Sequence, residues 1–278
     1  MTGLVHSCLP PVRWQTGHVV CPVDSLAATP GDPAMLERSL LRRVLAEVRW
    51  SFQWPCNWLL GVFLNLGLSL LWLVWVPLRG GSHRDWVILV GTYFAVFVLA
   101  DVTTTNVLGL DAHRVRLSLD SGVSLRRVLL TKNYALLVIV GLPTLLLTVV
   151  LTVHSELPHR LVLTMPGVAL PILAWLGVGN TVSVLLPVAV RSLRTRWVQR
   201  RSLRQTLPWL AHLAIPYLLL YAVDPVGDTV PVLVRILPRP WRTEELRGAV
   251  LLLTGLLIWA AGTWLAIRLA DRYGLRMR

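Results

Sequence analysis

The chain reads as an all-α polytopic membrane protein. It is expected to have six transmembrane helices, both termini cytoplasmic, and an amphipathic interfacial helix before the first span. Three observations lead there. Hydrophobic residues make up 55% of the 278 residues and charged residues only 15%, against about 25% charge in an ordinary soluble chain. Mean hydropathy is +0.62. Several apolar runs reach the roughly 20 residues that a helix needs to cross a bilayer.

Residues 1–34 are rich in proline and small polar side chains and lack any helical or strand period, so they are expected to form a disordered tail. No basic stretch followed by an apolar core marks a secretory signal. Regular patterning begins near Met35, which makes Met35 a candidate translation start; a peptide from residues 1–34 in the mass spectrum of the native protein would overturn that expectation. Residues 35–278 then form one transmembrane domain. From Leu36 to Trp50, Leu36, Leu40, Leu41, Val44, Leu45 and Val48 share one half of a helical wheel, and Arg38, Arg42 and Arg49 the other. A leucine-rich face opposite a basic one suits a helix lying in the membrane interface.

The spans are expected at about 58–78, 86–108, 133–153, 161–190, 207–223 and 248–267. Pro166, Pro171 and Pro187 interrupt the fourth. Such breaks are tolerated where neighbouring helices satisfy the freed backbone groups. The segment 224–247 is proline-broken and too short to cross. Orientation follows from the alternating distribution of Lys and Arg: nineteen fall on the side holding both termini and seven on the other, which makes the richer side cytoplasmic. The location is therefore the cell membrane, with the lipid bilayer as first partner. The same distribution accounts for the net charge of +13 without nucleic acid.

Cys8, Cys21 and Cys56 form neither a disulfide framework nor a C-x-x-C pair. His154, Glu156 and His159 lie in a short external loop, and histidines five apart do not share a helix face. No G-x-S-x-G, H-E-x-x-H or phosphate-binding G-x-x-x-x-G-K-[ST] pattern is present, and the only lysine, Lys132, has no glycine loop before it. No enzymatic activity, cofactor or metal site is expected in this chain. Two polar positions fall within spans. Asp101 is a candidate intramembrane acid, beside Thr103, Thr104 and Thr105 at the cytoplasmic end of its span. Asn180, preceded by Gly177 and Gly179, marks a point of close helix contact.

Between the second and third spans lies a polar, arginine-bearing stretch from Asn106 to Tyr134. Asn106, Gly109 and Asp111 form an N-x-x-G-x-D turn. Leu119, Val123, Ser124, Arg127, Leu129, Leu130 and Lys132 then lead into the third span, and Gly179, Asn180, Ser183 and Pro187 close the fourth. Together with the basic helix before the first span, these motifs resemble the membrane subunits of type-2 ABC exporters, over about Leu36 to Arg278. Gly122 stands where that family commonly has proline, a departure that bears on the local backbone. The resemblance implies a permease that pairs with a second permease subunit to enclose a conduit. It also implies a separate cytoplasmic ATP-binding subunit that carries ATP and magnesium.

The loop from Asn106 to Tyr134 would then hold the element that couples the two. Leu125, Val128 and Leu129, at i, i+3, i+4 spacing, would be apolar knobs for the ATPase surface. Arg126 and Arg127 project elsewhere, and Asp111, His113, Arg114 and Arg116 would supply polar contacts. Two other readings remain: a secondary transporter driven by protons through Asp101, and a membrane scaffold that transports nothing.

Overall fold

A computed structural model of the chain describes residues 39–51, 87–88, 90–92, 106–109, 111–187, 207 and 243–275. The expected spans at 58–78 and 207–223, most of that at 86–108, Asp101 and the tail at 1–34 lie outside the described residues. Every regular element among the described residues is a helix, and three of them are long and apolar enough to cross a membrane.

Helix α1, Leu40–Ser51, carries the basic amphipathic pattern. Its apolar face divides: Val44 turns inward, while Leu41 and Leu45 stay exposed. After a turn at Asn106–Gly109, α2 covers Ala112–Asp120 and α3 Leu125–Leu136. A π-helical segment, Leu137–Gly141, joins α3 to α4, Leu142–Ser155, without a break. Its cause is Pro143, whose ring clashes with the carbonyl four residues back and which has no N–H to give it. The Leu142 N–H reaches back five residues to the Leu137 carbonyl, the π spacing. The expected third span is thus the inner part of one rod, Leu125–Ser155, that begins in the polar stretch itself.

A single 3-10 turn, Pro158–Arg160, reverses the chain into α5, Leu161–Leu185. This helix is apolar on all sides and buried along most of its length, as a helix hydrophobic all round must be. It ends at Leu185, just ahead of Pro187; a residue preceding proline is driven out of helical backbone. The last helix, α6, Glu244–Tyr273, is capped at its start by the Thr243 hydroxyl, which accepts the Leu246 N–H at 3.3 Å.

α5 and α6 pack side by side along most of their lengths. Gly248 lies against the Val162 carbonyl, Gly255 against Leu170 and Leu173, and Gly262 against the backbone of Gly177. The partners climb in number together, so the two helices run parallel. The three glycines recur every seven residues, the spacing that keeps one face on a neighbour in a left-handed pair. A methyl group on Gly262 would collide with the Gly177 carbonyl.

The rod α3–α4 runs antiparallel to α5. The Thr152 and Thr164 hydroxyls meet at 3.0 Å near the turn, and Gly141 faces Ile172 further in. Thr144, Thr148 and Thr152, all fully buried, each donate to the carbonyl four residues back. Their hydroxyls are thereby satisfied without water.

Three apolar clusters follow this frame. One centres on Trp175 and Leu176 and takes in Leu136, Val140 and Val107. The second gathers Leu108, Val115, Val123, Leu129, Val184 and Ala266 at one end of the bundle. The third joins Leu163, Leu170 and Leu251 toward the other end.

Gly262→Ala is expected to destabilise the protein by about 1–3 kcal/mol, the usual cost of overpacking a tight contact. Leu256→Ala, on the exposed face of α6, is expected to shift it far less. Thermal unfolding in detergent checks this. A Gly262→Ala variant as stable as its parent would mean that the close approach of α5 and α6 carries no stability.

Candidate functional site

The polar stretch folds into a hairpin whose turn explains Gly122. At the end of α2 the Gly122 N–H donates to the Leu119 carbonyl at 2.9 Å, and the Val123 N–H to the Ser118 carbonyl at 3.0 Å. These bonds close a helix in the Schellman manner, which requires left-handed backbone at the residue between them. Gly122 supplies it with φ of 86°. Proline, locked near −65°, cannot make this turn, so the departure from the family pattern goes with a different way of ending the helix. Val123 then drops into the second cluster beside Val115.

At the base of the hairpin lies the one buried charge cluster found among the described residues. Lys132 Nζ, on the second half of α3, donates to both carboxylate oxygens of Asp111 at 2.8 Å and to Glu47 Oε1 of α1 at 2.8 Å. Arg114 Nη2 reaches Glu47 Oε2 at 3.2 Å, and Arg114 Nη1 lies 3.5 Å from Asp111 Oδ2. The guanidinium also sits 4.3 Å from the centre of the Trp50 ring, a cation–π contact. Asp111 occupies the N-cap position of α2 but makes no capping bond; Lys132 takes both of its oxygens instead.

Two carboxylates and two cations make the cluster formally neutral. Asp111 and Lys132 are each only 8% exposed, so each depends on the other to carry its charge there. Burial pushes the Glu47 carboxyl up, but the fields of Lys132 and Arg114 outweigh it and hold the group below its ordinary value. Burial, helped by the nearby charge of Glu47, lifts Asp111 above its ordinary value against the pull of Lys132. The two acids thus divide unequally what one ammonium and one guanidinium offer.

The structure separates the expected site residues into two groups. His113, Arg116, Arg126 and Arg127 are exposed on the hairpin. Asp111 is buried and Arg114 half-buried within the ion cluster. Leu125 is half-buried, and Val128 and Leu129 lie inside the second apolar cluster, so none of these three is a free apolar knob. The reason is the helix wheel: the i, i+3, i+4 stripe that suits a partner suits the chain's own core equally, and Ala266 and Ala270 of α6 are there to receive it. Asn180 is fully buried and donates from Nδ2 to Thr263 Oγ1 at 2.9 Å.

Two contacts went unforeseen. Glu47 was hidden in a basic amphipathic pattern, although it is the only acid in α1 and falls on the same side as Val44 and Ser51. The N-x-x-G turn and the end of α5, separate motifs in the sequence, meet directly: the Val107 N–H donates to Ser183 Oγ at 2.9 Å. No group of His, Cys, Asp and Glu side chains among the described residues has the makings of a metal site.

Comparison with protein-family models, with curated proteins and with solved structures finds no match for this chain.

Lys132→Met is expected to cost about 3–5 kcal/mol, because it leaves buried carboxylate charge uncompensated. Adding Asp111→Asn restores formal neutrality and is expected to recover part of that loss. Thermal unfolding of the two variants in detergent checks it. Equal stability of the single and double variants would mean that charge balance is not what holds the cluster.

Proposed function

We propose that this chain is the permease subunit of an ATP-driven exporter of the type-2 ABC kind. In this reading it has six spans with both termini cytoplasmic, sits in the cell membrane, and pairs with a second permease subunit. A separate cytoplasmic subunit binds and hydrolyses ATP with magnesium. The observation that carries the proposal is the hairpin of α2 and α3, clamped through Lys132 to α1 and continuous with a membrane-length helix.

A coupling element must accept a push from a soluble partner and pass it to the spans. The exposed Arg116, Arg126 and Arg127, with His113, offer a basic surface for the first task. The unbroken α3 serves the second: from Arg126 to the π segment it is a rod of about 15 Å at 1.5 Å per residue. The π segment before Pro143 is the first place where that rod can flex.

Topology supports the six-span reading. α5 and α6 run parallel, which the six-span reading requires of its fourth and sixth spans. Ile88 packs on Gly167 and Val107 bonds to Ser183, the order of contacts that a second span parallel to the fourth requires. Arg42, Arg43, Arg49, Arg116, Arg126, Arg127, Arg268 and Arg272 belong to the end holding the hairpin, against Arg160 and Arg247 at the other. That bias favours the hairpin end as cytoplasmic.

Co-expression with an ATP-binding cassette protein, should a neighbouring reading frame encode one, tests the proposal. The two are expected to purify together. The double variant Arg126→Glu and Arg127→Glu is expected to lower ATPase association at least tenfold, about 1.4 kcal/mol, with little change in thermal stability because both side chains are exposed. Full association of that variant would remove these arginines from the contact. Purification of the chain free of any ATP-binding protein would remove the family reading.

A further inference from the structure

Three helices meet inside the bundle where their side chains leave polar atoms without partners. Asn133 on α3 is fully buried, and neither Oδ1 nor Nδ2 has a hydrogen-bond partner. The antiparallel register that sets Gly141 on Ile172, carried toward the start of α3, brings Asn133 level with Asn180 on α5. Asn180, also fully buried, has an unpartnered Oδ1. Its orientation is fixed by chemistry. The single proton of the Thr263 hydroxyl goes to the Trp259 carbonyl at 2.8 Å, so that oxygen accepts from Asn180 Nδ2 and leaves Oδ1 facing elsewhere. Trp259 on α6 packs its backbone against Gly177 and sets its ring edge-on to Tyr134, the neighbour of Asn133, at 5.9 Å between centroids. Its indole Nε1 is the fourth unpartnered atom.

Buried polar groups are almost always hydrogen-bonded, and inside a membrane-length helix no lipid can serve as partner. Simple packing does not account for Asn133, because leucine would fill a similar volume at no polar cost. We propose that Asn133, Asn180 and Trp259 form an intramembrane binding site for a small neutral hydroxyl group. The unpartnered atoms define that chemistry. Asn133 Nδ2 and Trp259 Nε1 are donors, and the two amide oxygens are acceptors.

A hydroxyl both donates and accepts, and so can answer both kinds. A metal cation would leave the two donors unanswered, and an anion the two acceptors. Lys132, next in sequence to Asn133, gives its ammonium to Asp111 and Glu47, so the site is neutral. The hydroxyl belongs either to water or to a solute that carries one. The inference needs only that α3, α5 and α6 cross the bilayer, and it stands or falls independently of any ATPase.

Chemical accessibility tests it. In a background with Cys8, Cys21 and Cys56 replaced by serine, Asn133→Cys and Ile172→Cys are each treated with methyl methanethiosulfonate. Ile172 lies in the dry apolar cluster and is the control. Modification at least tenfold faster at position 133 is expected; equal rates overturn the proposal. Independently, Asn133→Leu is expected to lower the unfolding temperature, because the occupant and its partners lose their bonds. A rise would show that the amide was never satisfied and would also overturn it.

Added glycerol, xylitol or sorbitol separates the two sources. A stabilisation of the parent that Asn133→Leu does not share identifies a solute hydroxyl. An equal shift in both identifies water.

Discussion

Lys132 is a charged side chain buried at the start of a membrane-length helix, and the arrangement around it follows from the need to neutralise it there. An isolated ammonium in such a place would cost many kcal/mol or shed its proton. Asp111 and Glu47 prevent that from two directions, one at the start of α2 and the other from the interfacial helix α1. Arg114 then balances the second carboxylate. One buried cation thereby ties α1, α2 and α3 together. Ion clusters of this kind add less net stability than a hydrophobic replacement would, so their value lies in geometry: few other arrangements of α1, α2 and α3 satisfy all four groups.

A different rule governs the middle of the bundle. There the helices approach through what is missing, since Gly177, Gly248, Gly255 and Gly262 let backbones touch where any side chain would hold them apart. Polar side chains in this region are short and answer their needs locally. The buried threonines of α4 bond to their own helix, and Thr181 donates across to the Gly262 carbonyl at 3.0 Å. Asn133 is the conspicuous exception, being long, amide-bearing and left with neither atom paired. Asn180 and Trp259 on the neighbouring helices share the exception with one unpartnered atom each.

The two regions meet on one rod, at consecutive residues of α3. The clamp at Lys132 makes the hairpin and α3 move as a unit, and Asn133 is the very next residue. A displacement delivered to the hairpin would therefore be felt first at the polar junction with α5 and α6, before the π segment can absorb it. Such an order of events suits a membrane protein in which a soluble partner controls access to a buried polar site.

Three of the long apolar helices and the break at Pro187 were legible in the chain, because bilayer thickness and proline geometry act on local sequence, whereas Pro166 and Pro171, read as further interruptions, lie inside a continuous α5. The amphipathic α1 was legible too. Other features were beyond local reasoning. Leu125, Val128 and Leu129 form a stripe that reads equally well as a docking face or a core face, and only the presence of Ala266 and Ala270 nearly 140 residues later decides in favour of the core. Glu47 and Lys132 stand 85 residues apart, and nothing in either neighbourhood names the other. Residue periodicity reports which side of a helix is apolar, whereas the identity of the facing partner depends on how distant helices pack, and that information resides in the tertiary structure alone.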